Sequence, residues 1–299
     1  MEKDFGGFKG ILIIGLGLIG GSLALALRKE GYKGKIYGFD LNKNRIEKAL
    51  ELKAIDEGYD SYEKIPWVNN IDFVVLSTPV KTFESIALKI KPFLKDDTVV
   101  TDVGSVKGDL VLRLYEILKP HVFVGVHPIA GTEKEGIENA KYDLFKNARL
   151  ILTPVGDDRE KIEKVEKFWK DIGSKTEIMD PHLHDFVFAS VSHLPHAIAF
   201  ALVDSLIVLS KETGIDLFKY PGGGFKDFTR IAASSPTVWK DIFLENKENV
   251  LHTIDVFQKS LERLKEAIKK EDEKEILNIL SESREKRMSL DVSSDKVRE

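Results

Sequence analysis

The residues best placed for chemistry in this 299-residue chain are histidines. His127 closes the apolar run Val122-Phe123-Val124-Gly125-Val126 and precedes Pro128 and the loop Ile129-Ala130-Gly131-Thr132-Glu133. A neutral imidazole near pH 7 can accept a proton from an alcohol while hydride leaves its carbon. A lone histidine is more often structural. Its place at the end of a strand, before a glycine-bearing loop, favours the catalytic role. Ser105 lies in a second such segment, Thr101-Asp102-Val103-Gly104-Ser105-Val106-Lys107. It could cap the next helix, or present its hydroxyl to substrate and cofactor together, which is the role preferred here. Ser192-His193-Leu194-Pro195-His196 sits inside an apolar run. On a helix Ser192 and His196 are one turn apart, as are His193 and His196. Pro195 should kink that helix and free a carbonyl near Val191. No cysteine and no H-E-x-x-H pattern is present, so no metal site is expected. Lys226 and Arg230 are four apart after the turn Pro221-Gly222-Gly223-Gly224. Arg230 could hold a carboxylate through two parallel hydrogen bonds; the bland alternative is a solvated ion pair with Asp227. Trp239 either walls the pocket or belongs to the core.

These groups need a scaffold, and the N-terminus supplies one. Gly10-Ile11-Leu12-Ile13-Ile14 runs into G-x-G-x-x-G at Gly15, Gly17 and Gly20, with Asp40 ending the next apolar segment. Gly15 permits a tight turn, Gly17 lets a pyrophosphate approach the backbone, and Gly20 lets helix and strand pack closely. The helix opening at Leu18-Ile19 aims its N–H groups and positive dipole end at the phosphates. Asp40 can accept from both ribose hydroxyls and should repel a 2′-phosphate, which favours NAD over NADP. Lys43 and Arg45, close behind, could turn toward a phosphate and work against that preference. Ser77-Thr78-Pro79, after the strand Phe73-Val74-Val75-Leu76, suits close approach to the cofactor or is an ordinary capped turn.

Strands are expected at 10–15, 35–39, 72–77, 97–102, 121–126 and 149–153, with a last one at 175–179. Helices are expected near 18–30, 42–53, 81–91 and 107–118, and up to about Asp171. Such alternation implies a Rossmann-type, mainly parallel α/β sheet covered on both faces. After Asp180-Pro181 only helical periodicity remains, at 182–209, 240–268 and 272–287. The reading is therefore a dinucleotide-binding domain, 1–178, followed by an all-helical substrate and dimerisation domain, 179–299. Val250, Ile254, Phe257, Leu261, Leu264 and Ile268 form a stripe that could pair across a two-fold axis, so a homodimer is expected.

Composition narrows the class. Apolar residues make up 42% and the net charge is −4, with acids and bases interspersed, so no basic stripe suggests nucleic acid. Cysteine is absent, which excludes disulfide and thiolate chemistry, and Gln258 is the single glutamine among abundant Lys, Glu and Ile, a thermophile-like balance. The first residues open no secretion signal. The apolar stretch 186–209 carries Ser190, Ser192, His193, Pro195, His196 and Asp204. It reads as a core helix with functional polar groups rather than a membrane span, and a cytoplasmic protein is expected.

Taken in order, GLGLIGGSLALAL at 15–27, DVGSVK at 102–107, GVHPIAGTE at 125–133, SHLPH at 192–196 and PGGGFKDFTR at 221–230 resemble the prephenate/arogenate dehydrogenase family along nearly the whole chain. The resemblance implies NAD-dependent oxidative decarboxylation of prephenate to 4-hydroxyphenylpyruvate. By it, His127 bonds the ring hydroxyl and Ser105 orients that hydroxyl and the nicotinamide. Arg230 clamps a substrate carboxylate, and His193 and His196 line the pocket with support from Ser192. Gly223, Lys226, Asp227, Glu133 and Trp239 fall in matching substrate-side positions. His196 matches prephenate users, so prephenate is preferred to arogenate, and tyrosine is a candidate inhibitor. A hydroxyisobutyrate-type dehydrogenase would need a lysine followed by paired asparagines in the helical half, whereas the pair here is Asn69-Asn70. A non-catalytic cofactor or amino-acid sensor would keep Gly15, Gly17 and Asp40 but would not need His127.

Overall fold

The computed structural model describes residues 3–67 and 71–295, so the Asn69-Asn70 pair lies outside it. Short apolar runs become strands β1 (Gly10–Ile14), β2 (Lys35–Phe39), β3 (Glu57–Tyr59), β4 (Phe73–Leu76), β5 (Val99–Asp102), β6 (Val122–Pro128), β7 (Arg149–Pro154) and β8 (Lys175–Ile178). Between them lie α1 (Leu18–Lys29), α2 (Lys43–Glu51), α3 (Phe83–Ile90), α4 (Gly108–Leu118) and α5 (Arg159–Ile172). The strands form one sheet in the order β3-β2-β1-β4-β5-β6-β7-β8, parallel except for the antiparallel β6–β7 pair.

Strand pleating sorts the apolar side chains onto two faces. Ile11 and Ile13 join Leu23, Leu27, Val75, Val124, Phe168 and Trp169 on one side. Leu12 and Ile14 join Tyr37, Val74, Leu76, Phe83, Leu110 and Leu114 on the other. The chain turns from β1 outward to β2 and β3, then crosses back to β4, so the carboxyl ends of β1 and β4 flank a topological switch point. Ile14 stands opposite both Phe39 and Leu76 there. β6 runs on to Pro128 and holds His127 in register with Ile151 of β7. β3 escaped the sequence reading: three half-buried residues around Gly58 form no apolar run.

After β8 the described elements are helical: α6 (Pro181–Phe188), a π-helical turn Ala189–His193, α7 (Leu194–Thr213), α8 (Gly223–Thr229), α9 (Pro236–Glu245), α10 (Lys247–Lys269) and α11 (Glu273–Asp295). The stretch 186–209 is not the core helix that its composition suggests. It is broken by the π turn, and Ile207, Val208 and Leu209 on α7 are exposed at 39%, 45% and 44%. Pro181–Thr213 is long and apolar enough by length and composition to cross a membrane, yet His184, Asp185 and His193 within it are buried polar groups.

Two compact units are resolved, Met1–Asn249 and Val250–Glu299. In the second, Arg263 Nε donates to Glu275 Oε1 at 2.6 Å, tying α10 to α11. Leu261 and Ile268 of the apolar stripe are exposed at 53% and 57%, so one copy of this unit leaves part of the stripe uncovered.

Candidate active site

The glycine turn is shaped by steric contacts. Gly15 has φ +101°, and a Cβ there would lie 2.5 Å from Ser77 O. A Cβ on Gly20 would lie 2.0 Å from Gly15 O, so α1 can seat against β1 only with glycine at that position. A Cβ on Gly17, the N-cap of α1, meets nothing within 4 Å. That open space lies where Leu18 and Ile19 begin the helix, and it is the cradle a pyrophosphate requires. Asp40 is 7% exposed and its carboxylate is aimed by the backbone: Oδ2 accepts from Leu16 N at 2.9 Å and Oδ1 from Asn42 N at 2.8 Å. Arg45 Nη1 stands 3.6 Å from Asp40 and Lys43 Nζ 3.4 Å from Asp60, so both cations already face acids. Across the switch point Ser77 Oγ is buried without a partner among the described residues. Thr78 Oγ1 bonds Thr82 Oγ1 at 2.6 Å, just beyond Pro79. The open cradle, the aimed carboxylate and the orphan hydroxyl fit a dinucleotide.

Beyond β5 and β6 lies a buried polar network. His127 Nδ1 is 2.8 Å from His184 Nε2, and His184 Nδ1 is 2.8 Å from Asp185 Oδ1. The same Asp185 Oδ1 accepts from Lys107 N at 2.8 Å, so this carboxylate of α6 caps the N-terminus of α4. Gly108 makes room for it: a Cβ there would lie 2.5 Å from Asp185 Oδ2. Ser105 is therefore not the cap of α4, whose N-cap position is taken by Lys107, two residues beyond it. Lys107 Nζ is fully buried and bonded to Asp102 Oδ2, while Asp102 also accepts from Gly104 N at 2.8 Å and Val126 N at 3.1 Å.

The helical half completes the cluster. Asn246 Nδ2, after α9, donates to Asp185 O at 2.8 Å and lies 3.2 Å from His193 Nδ1. The π turn brings His193 inward, with Leu194 N reaching back to Ala189 O. His196 Nδ1 donates to Ser192 O at 2.9 Å, a carbonyl next to Val191 in the turn that precedes Pro195. Trp239 lies at the edge of this cluster. It packs in a small cluster with Val106 and Ile242, and it stacks on His196 at 3.6 Å.

Burial dominates the electrostatics. It holds His127 well below the usual imidazole value, with the neighbouring His184, Lys107 and His193 acting in the same direction. It lowers His184 against the opposing Asp185. It also pushes His193 down to about 3, the Ser105 backbone beside it offsetting only part. The half-buried His196 is lowered too, against the Ser192 carbonyl. These imidazoles are neutral at pH 7 and available as proton acceptors or donors.

Arg230 starts the turn after α8, and its Nη1 donates to Glu133 Oε2 at 3.1 Å rather than to Asp227. Gly223, Lys226 and Asp227 are exposed on α8, and among the described residues Lys226 and Asp227 make no ion pair. The sequence reading missed His184, Asp185 and Asn246. The one local signal was the adjacent pair His184-Asp185 entering an apolar run.

A glycine-cradled switch point beside a strand-end histidine defines a nucleotide-binding dehydrogenase. The chain matches the family model for the nucleotide-binding domain of prephenate dehydrogenase over residues 23–178, and that for its dimerization domain over residues 180–282. It is 35% identical to a cyclohexadienyl dehydrogenase of Zymomonas mobilis over 289 residues, covering 96% of this chain and 98% of the relative. Among solved structures it is similar to prephenate dehydrogenase from A. aeolicus in complex with hydroxyphenyl propionate and NAD+, with 53% identity, TM-score 0.90, and 95% and 98% of the two chains covered. It is also similar to Synechocystis arogenate dehydrogenase, with 27% identity, TM-score 0.78, and 94% and 99% covered. The chain belongs to the prephenate dehydrogenase family.

Proposed function

We propose that this protein catalyses the oxidative decarboxylation of prephenate to 4-hydroxyphenylpyruvate, with NAD as its cofactor, in tyrosine biosynthesis. The observation that carries the reading is His127, held at the end of β6 with Nδ1 bonded and Nε2 left for a substrate hydroxyl. Gly15, Gly17, Gly20, Asp40 and Ser77 would hold NAD, which when bound supplies the hydride acceptor. His127 Nε2 takes the hydroxyl proton as hydride leaves the carbinol carbon. Loss of the ring carboxylate as carbon dioxide then aromatises the ring and places charge on the former hydroxyl oxygen. His127 returns the proton there, so the residues end as they began. Ser105 orients the hydroxyl.

Arg230 spends only Nη1 on Glu133, leaving Nη2 and Nε for a substrate carboxylate. Glu133 is engaged by Arg230 and Asp185 by His184, so neither offers a lone carboxylate to a substrate ammonium. This supports prephenate over arogenate. The division into a cofactor part, 1–178, and a helical part, 179–299, follows from the same reading. The uncovered apolar side chains of α7 and of the second unit support a homodimer, and a cytoplasmic biosynthetic enzyme is the setting.

The test is NADH absorbance with prephenate and, separately, arogenate. Turnover of prephenate that collapses in His127→Asn, with NAD binding intact, is expected. Turnover of arogenate alone would reassign the substrate, and none with either would overturn the reading. Tyrosine added to the same assay shows whether it inhibits.

A further inference from the structure

His184 and Asp185 have no counterpart in the mechanism above, yet they are among the most deeply buried polar groups of the chain, at 0% and 3% exposure. We infer that they are a positioning pair which fixes the tautomer of His127 and balances the charge it acquires, an inference that rests on His127 as the proton acceptor. The hydrogen bonds leave little freedom. Asp185 Oδ1 only accepts, and it already receives Lys107 N–H. His184 must therefore carry its proton on Nδ1 to donate to it. Its Nε2 is then bare and can only accept, so His127 must carry its proton on Nδ1. The result is a bare Nε2 on His127, the atom that has to receive the substrate proton. A free neutral imidazole in water prefers the opposite tautomer, so without the pair most of the catalytic side chain would present an N–H where a lone pair is needed.

The same pair answers for charge. Lys107 and Asp102 bond one another, so together they are neutral wherever their shared proton lies. Asp185 is the remaining anion of the buried network. When His127 is protonated the network becomes neutral, whereas without Asp185 it would hold an uncompensated buried cation. His193 faces the same network, and Asn246, which also holds Asp185 O, donates toward its Nδ1. That bond leaves the proton of His193 on Nε2, so the two imidazoles carry opposite tautomers.

Three variants separate these roles. His184→Leu removes the acceptor, and His184→Gln restores an amide oxygen near the position of Nε2. Asp185→Asn keeps the acceptor, held by Lys107 N–H, but removes the charge. With 15N-labelled histidine in the free enzyme, His127 should show a protonated Nδ1 and a bare Nε2 in wild type and His184→Gln, and a mixture or the reverse in His184→Leu. In turnover, His184→Leu should lose about 100-fold or more in kcat with the KM for substrate and for NAD within about threefold, and His184→Gln should recover a large part. Asp185→Asn should keep the tautomer, lower kcat, and move the acid limb of kcat/KM to lower pH, since the imidazolium loses its counter-charge. Wild-type His127 protonated on Nε2 would overturn the inference, as would equal rates for the two His184 variants or an unmoved acid limb in Asp185→Asn. The tautomer is read without substrate, so a chain that turned over neither prephenate nor arogenate would refute the proposed reaction and leave this measurement standing.

Discussion

Acid should destabilise this protein unusually early. His127, His184 and His193 are 8%, 0% and 1% exposed, and burial lowers the proton affinity of each in the folded state. Unfolding returns each to an imidazole with pKa about 6.5. The unfolded chain then binds more protons than the native one, so stability is fully present above about pH 6.5 and is lost as pH falls below it. Integrated from pH 7.5 to 5.5, one histidine that stays neutral when folded costs about 1.4 kcal/mol, so His127 and His193 together cost about 3 kcal/mol and His184 adds to it in the same direction. That is a large part of the roughly 5–15 kcal/mol that holds most domains together. The assay is guanidinium unfolding at half-unit pH steps, with chain concentration held fixed because an associating protein gains stability by mass action. The window lies above the main carboxylate range, so the histidines dominate it. His193→Gln should flatten the difference between pH 7.5 and 5.5 by about 1.4 kcal/mol, and His184→Gln should flatten it too, whatever they do to stability at pH 7.5. A difference below about 1 kcal/mol in the parent protein, or variants that leave it unchanged, would refute the picture of three neutral buried imidazoles.

The glycine turn separates packing from binding. Gly20→Ala should cost about 1–3 kcal/mol in thermal or denaturant unfolding, because its Cβ would meet Gly15 O at 2.0 Å. Gly17→Ala has open space, so it should leave stability within about 0.5 kcal/mol and raise the KM for NAD about tenfold. Arg230→Ala should raise the KM for prephenate about tenfold or more, with the value for NAD within about twofold; equal weakening of both would make Arg230 structural. Lys107→Met strands Asp102 in the interior and should cost about 3–5 kcal/mol, most of it recovered in the double variant Lys107→Met/Asp102→Leu, as denaturant titrations would show.

What could be read in advance was what the chain writes locally. The strand, glycine turn, helix and acid from Gly10 to Asp40 follow one another within a single unit, and each part has a steric or electrostatic duty that its residue type declares. His127 was legible because β6 is an apolar run that ends on it. His184 was not, because it lies 57 residues from its partner and meets it only when α6 packs beside the end of β6. The Lys107–Asp102 pair shows the same limit from the other side. Both residues stood in a quoted motif, yet nothing in their spacing says that the ammonium turns inward, to be buried whole against the carboxylate. The misread stretch 186–209 has a related cause. Hydrophobicity marks surface that will be removed from water, and it does not say by what. In α7 the apolar side chains remain exposed within one chain while the π turn buries His193. One segment thus leaves an apolar surface exposed and carries a polar group into the buried network. A dimer built on that surface would hold His193 and His196 to a neighbouring subunit, so dilution below the dimer dissociation constant should lower kcat together with the oligomeric state.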